Sequence, residues 1–151
     1  MQMTIKMKVE RNWKDKTLES LEKKIWPSLD KDEGSYLVKT CHSLRNKQLK
    51  DFSVEDLRIM IGQNIGLEYL IPLALDVLEG NILAEGDFYE GDLLKSVLTS
   101  DKKYWEKSTE NWRKVKELFE KNEQTLEDFD TTREIKKGWF DNYKLFMTYG
   151  P

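Results

Sequence analysis

The sequence predicts an all-α fold, a compact single-domain bundle of about six to eight helices with a short strand or ordered arm at its N-terminus. Apolar residues recur at helical spacing through most of the 151 residues, and no proline interrupts the chain between Leu73 and Gly150. Alternation with period two is confined to Met3, Ile5, Met7 and Val9, which is where the strand or arm is expected. The length fits one domain spanning 1–151.

The elements follow in order. Thr17 caps a helix carrying Leu18, Leu21 and Ile25 on one face, stopped by Trp26-Pro27. Asp30–Gly34 reads as a loop, and Ser35 opens a helix with Leu37, Cys41 and Leu44 at i, i+4 and i+7. Ser53-Val-Glu-Asp56 resembles a capping box ahead of Leu57, Met60 and Ile61. Gly62 and Gly66 mark a helix end and a tight reversal, after which a new helix begins near Pro72 or is kinked there. Leu73, Leu75, Val77 and Leu78 make that helix apolar nearly all round, hence central, and Gly80-Asn81 ends it. Residues 84–92 form a loop before a helix with Leu93, Leu94, Val97 and Leu98. From Asp101 one longer helix places Trp105, Trp112, Val115 and Phe119 on a stripe, and a last helical region holds Leu126, Phe129, Ile135, Trp139, Phe140, Tyr143 and Phe146.

Charge is unevenly placed. The net charge is −3, from 25 basic and 28 acidic residues. Between Ile59 and Leu94 there is no Lys or Arg, but seven acids: Glu68, Asp76, Glu79, Glu85, Asp87, Glu90 and Asp92. The flanks are slightly positive, so the whole negative balance sits in the most apolar block. Two readings are open: a buried helical segment whose few exposed positions are acidic, or a landing site for a basic partner.

Scarce residue types limit the chemistry. One Cys excludes an internal disulfide, a Cys-x-x-Cys pair and thiolate-rich metal sites, and one His excludes a multi-histidine centre. No phosphate-binding glycine loop or nucleophile elbow occurs, so no catalytic residue, cofactor or metal ligand is assigned. His42 and Cys41 are adjacent, so on a helix their side chains diverge, and His42 reads as a helix-surface residue. Glu55 and Asp56 read as first-turn acids complementing a helix N-terminus. Asp87, Glu90 and Asp92 lack the ligand alternation of a calcium loop. Gln63 and Asn64 are expected to satisfy backbone groups, and Trp105 and Trp112 to be core. Phe88 and Tyr89, aromatic inside an acidic loop flanked by glycines, are either interface anchors or a core plug. The first ten residues contain no apolar run long enough for a secretory signal or a membrane span, and the free Cys41 fits a reducing compartment, so a cytoplasmic protein is expected. Acidic balance gives no reason to expect nucleic-acid binding, and no membrane contact is expected.

Three stretches resemble the immunity proteins of contact-dependent growth inhibition (CDI) systems: Leu37–Arg45, then Phe52 through Leu75 with Glu-Asp-Leu-Arg-Ile-Met-Ile-Gly-Gln, then Asn81 through Leu94 with Ala-Glu-Gly-Asp-Phe-Tyr-Glu-Gly-Asp-Leu-Leu. The similarity covers residues 17–98 and is slight beyond 100. It implies a small cytoplasmic helical protein that binds, in a 1:1 complex, the C-terminal toxin domain of a neighbouring cell's surface exoprotein. It implies neutralisation by blocking the toxin's active site or substrate path, the toxin being a nuclease, with a ribonuclease first in expectation. Joined to the charge asymmetry, it makes Glu85, Asp87, Phe88, Tyr89, Glu90 and Asp92 the expected toxin-binding set, with Glu55, Asp56, Arg58, Gln63 and Asn64 as scaffold. The alternatives are a general helical adaptor whose acidic face binds another basic protein, and a small hydrolase or transferase using His42 with Glu55 or Asp56.

Overall fold

The structure, a computed structural model, describes residues 11–29 and 34–151. The arm expected at Met3–Val9 and most of the loop expected at Asp30–Gly34 lie outside the described residues. Among the described residues the fold is all-helical, with nine α-helices, six of them seven residues or longer, and no strand. The chain divides into two units, Met1–Phe52 and Ser53–Pro151.

In the first unit, α1 (Leu18–Glu22) and α2 (Tyr36–Leu44) are flanked by 3-10 turns at Trp13–Asp15 and Leu49–Asp51. Thr17 and Ser35 cap the two helices, accepting from the amides of Ser20 (3.1 Å) and Val38 (3.3 Å). Helix α1 ends earlier than Trp26-Pro27, because Lys23 turns left-handed at φ 54° and leaves Ile25 78% exposed outside the helix. A buried cation accompanies that early stop. Arg45, 2% exposed, donates to the Glu22 carboxylate and to the Lys24 carbonyl (2.5 Å), and its guanidinium lies 4.5 Å from the Trp26 ring centroid. An arginine taken out of water needs such partners, and Lys24 reaches it from a chain that has already left the helix.

The second unit contains α3 (Val54–Gly62), α4 (Leu67–Gly80), α5 (Asp92–Leu98), α6 (Lys102–Lys107), α7 (Thr109–Lys121), α8 (Glu123–Asp128) and α9 (Arg133–Met147). The capping box forms in full: Ser53 Oγ accepts from the Asp56 amide at 3.0 Å, and Asp56 Oδ2 from the Ser53 amide at 3.0 Å. Helix α4 starts at Leu67, not near Pro72, with Gly66 in the left-handed region at φ 65° as its N-cap. Pro72 sits inside the helix and cannot donate to the Glu68 carbonyl, a defect of about 3 kcal/mol in an isolated helix. Complete burial of Leu70, Ile71 and Ala74 around it opposes that cost.

Helix α5 is the centre of the unit, packed chiefly against α3 and α9 and also against α4, with Leu93, Leu94, Val97 and Leu98 all at most 1% exposed. The expected single helix from Asp101 is instead two, α6 and α7, because Ser108 leaves helical geometry at ψ 65°. The aromatic core accounts for the break. Trp105 meets Phe146 edge-on at 4.8 Å and donates to Ser100 Oγ at 2.9 Å, whereas Trp112 stacks on Phe146 at 6.1 Å and donates to its carbonyl at 3.0 Å. The two indoles thus meet one ring in two different orientations. Asn64, left-handed at φ 59°, accepts from the Asp101 amide at 2.8 Å just ahead of α6. It satisfies a backbone group, as expected of it.

Candidate functional site

The acids of the middle block do not share one environment. Glu68, Asp76, Glu79, Glu85, Asp87 and Glu90 are exposed, while Asp92 is buried at 3%. Nor are they all unopposed, because the block's missing bases arrive from outside it. Lys121 of α7 reaches Glu79 at 3.6 Å, and Arg58, one residue before the block, lies 3.7 Å from Asp92. Among the described residues, Glu85, Asp87 and Glu90 form no ion pair. They sit on one loop, between α4 and α5.

That loop is built on two carboxylates. Asp92 Oδ1 accepts from the Gly86 amide at 2.7 Å, and its Oδ2 from the amides of Phe88 (3.0 Å) and Tyr89 (3.3 Å). Glu55 Oε1 takes the remaining amide of that run, from Asp87, at 2.7 Å. The backbone therefore wraps around two anions supplied by the N-termini of α3 and α5. A carboxylate bonded by several N–H groups forms charge-assisted bonds of roughly twice ordinary strength. Gly86 is required where the loop passes this centre: a Cβ there would fall 2.5 Å from Glu55 Oε1 and 3.2 Å from Asp92 Oδ2.

Arg58 completes the centre. Its Nε and Nη2 donate to the two oxygens of Glu55 at 2.7 and 2.5 Å, three residues apart on α3. These bonds hold the Glu55 carboxyl below its ordinary range and raise the guanidinium in return. The guanidinium carbon lies over the Phe88 ring, 4.1 Å from its centroid. Glu85 and Glu90 pair across an isolated antiparallel bridge, which closes the loop. From behind, Trp139 of α9, wholly buried, donates its indole N–H to the Gly91 carbonyl at 3.1 Å.

The expected contact residues divide on this geometry. Phe88 is 70% exposed, so it is no core plug, and Glu85, Asp87 and Glu90 are exposed around it. Tyr89 is half-buried, its phenol pushed up first by burial and then by the Asp92 charge. Asp92 faces inward and holds the loop. Sequence reasoning missed the joint role of Glu55 and Arg58, although their i, i+3 spacing signals a pair. It also missed Trp139, for which no local pattern points to a loop 48 residues away.

Other candidates carry no chemistry. The His42 ring packs edge-on to Trp26 at 5.0 Å. Glu55 is taken up by Arg58 and the loop, and Asp56 by its capping box. Burial pushes the Cys41 thiol up, away from the reactive thiolate. Among the described residues no group of acidic, His or Cys side chains is arranged to hold a metal ion, and no helix is long and apolar enough to cross a membrane.

A family model described as CDI immunity proteins matches residues 20–115. No curated protein matches the chain. The matched segment contains Glu55, Arg58, the whole 84–92 loop and Asp92, and stops short of Trp139.

Proposed function

The chain belongs to the CDI immunity proteins, non-enzymatic inhibitors that each neutralise a cognate CDI toxin, and from that premise we propose that the 84–92 loop is the surface applied to the toxin. The contact set is Glu85, Asp87, Phe88, Tyr89 and Glu90, with Asp92 behind them as the residue that fixes their backbone. The observation that carries this reading is Phe88: a large ring, 70% exposed, on a loop whose four amides from Gly86 to Tyr89 are all engaged and whose outer side chains are acidic. Exposed aromatics on rigid supports are what dominate binding energy at interfaces, and surrounding charges govern encounter.

The acidic rim favours a toxin with a basic surface. Nucleases have one because their substrate is a polyphosphate, so the toxin is a nuclease, with a ribonuclease first in order. Neutralisation is by occupation in a 1:1 complex in the cytoplasm, the loop covering the active site or the path to it.

The test is titration of the purified chain against the toxin domain encoded immediately upstream. A complex saturating at equal amounts, with an on-rate that falls as salt rises, is expected. No complex in either low or physiological salt overturns the reading, and an on-rate indifferent to salt removes the acidic rim from it.

A further inference from the structure

We propose that Arg58 is a positioning residue for toxin recognition, holding the Phe88 ring in the orientation it keeps in the complex. The inference rests on the loop being the toxin-binding surface and adds how its anchor is made ready. An exposed phenylalanine on a loop ordinarily samples several rotamers, and ordering it is one of the costs of binding. Here the residue is held at two points, its backbone and one face of its ring. Its own amide donates to Asp92 Oδ2 at 3.0 Å, and one ring face lies 4.1 Å from the Arg58 guanidinium carbon.

The guanidinium can serve as that platform because it is itself fixed. Two bonds to Glu55 lock its plane, Asp92 stands 3.7 Å away, and its side chain is only 16% exposed. Glu55 in turn accepts the Asp87 amide at 2.7 Å, so the platform and the loop that carries the ring share one carboxylate. One face of the ring is thus taken by a cation of this chain, and the opposite face and edge remain open to the partner. Lysine would keep the charge at position 58 but not the planar fork or the flat stacking surface, so Arg58→Lys separates charge from platform.

The experiment is a double-mutant cycle on affinity for the upstream-encoded toxin domain, using the full chain as wild type, Arg58→Lys, Phe88→Ala and the double variant, each checked by thermal melting. Phe88→Ala is expected to weaken binding at least tenfold, and Arg58→Lys about fivefold. In the Phe88→Ala background, Arg58→Lys is expected to change affinity less than twofold, because its effect passes through the ring. An equal loss from Arg58→Lys in both backgrounds means that Arg58 only supports the loop, and overturns the inference. Should Arg58→Lys fail to fold, Phe88→Ala still decides: its side chain is exposed, and a loss under twofold overturns the inference and takes Phe88 out of the toxin-facing set, while the wild-type titration separately reads whether the chain binds the toxin domain at all. A wild-type chain that does not bind the toxin domain overturns both.

Discussion

The Trp139 indole and the Gly91 backbone are in direct contact: the ring nitrogen donates to the Gly91 carbonyl at 3.1 Å, and a Cβ on Gly91 would fall 2.3 Å from the ring. Gly91 also takes φ +88°, a region L side chains rarely adopt. Gly91→Ala therefore meets two penalties at once, the left-handed backbone and a collision with a wholly buried ring that cannot move aside. A destabilisation of about 3 kcal/mol is expected, read from the midpoint of urea unfolding. A loss below about 1 kcal/mol would mean that the loop and α9 are less tightly joined than this contact implies.

Asp92 offers a sharper test of the loop, because an isosteric change alters only its charge and donor pattern. Asp92→Asn replaces one acceptor oxygen by an NH2 group, which must face at least one of the three amides now bonded to the carboxylate. Loss of a charge-assisted acceptor from a buried site should cost about 2–3 kcal/mol. Hydrogen exchange reads the local consequence: the amides of Gly86, Phe88 and Tyr89 should lose protection more than those in the middle of α7. Uniform loss across both regions would show Asp92 acting on global stability alone.

The helical class was legible because it rests on short-range patterns. Thr17, Ser35 and Ser53 cap where their positions in sequence say they should, since each bonds an amide three residues on. The loop at 84–92 was legible for the same reason, as were the core tryptophans. What remained hidden depends on residues far apart. Nothing local stops α1 at Glu22; the Lys24 carbonyl bonds Arg45, 21 residues later. Nothing local announces a break at Ser108, where two tryptophans meet one phenylalanine. The seven acids without a neighbouring base were a true fact of sequence and partly a misleading one in space, because Arg58 and Lys121 reach two of them, Asp92 and Glu79, from other helices. Counting charge along the chain drew attention to the 84–92 loop, but it placed Asp92 with the surface acids when that side chain points inward.

The Glu55 carboxyl gives the loop a signature in pH. Its hydrogen bonds with Arg58, and secondarily the Asp87 amide, hold it below its ordinary value of 4.5. A carboxylate depressed in the folded state contributes stability that is complete above the unfolded value and is lost as pH falls through the folded one. The wild-type melting temperature should therefore fall below about pH 4.5 more steeply than that of Glu55→Gln, which has nothing to protonate there. All other carboxylates are common to both chains, so the difference between the two slopes isolates Glu55. Parallel slopes would exclude this group from the acid lability of the fold.

Glu85 and Glu90 face each other across the loop's bridge, both exposed, and neither forms an ion pair among the described residues. Directly opposed residues of an antiparallel pair have neighbouring side chains, and like charges there are destabilising. A surface kept only for folding would gain by changing one of them. Glu90→Lys turns the repulsion into an attraction and should raise stability by about 0.2–1 kcal/mol. The same substitution removes two units of charge from a rim proposed to attract a basic toxin, so the association rate should fall severalfold at low salt and converge on the wild type's as salt rises. A variant that is more stable yet slower to capture its toxin separates the two demands on one side chain. Stopped-flow association measured beside urea unfolding on the same preparation checks both halves, and an unchanged on-rate would remove Glu90 from the toxin-facing set.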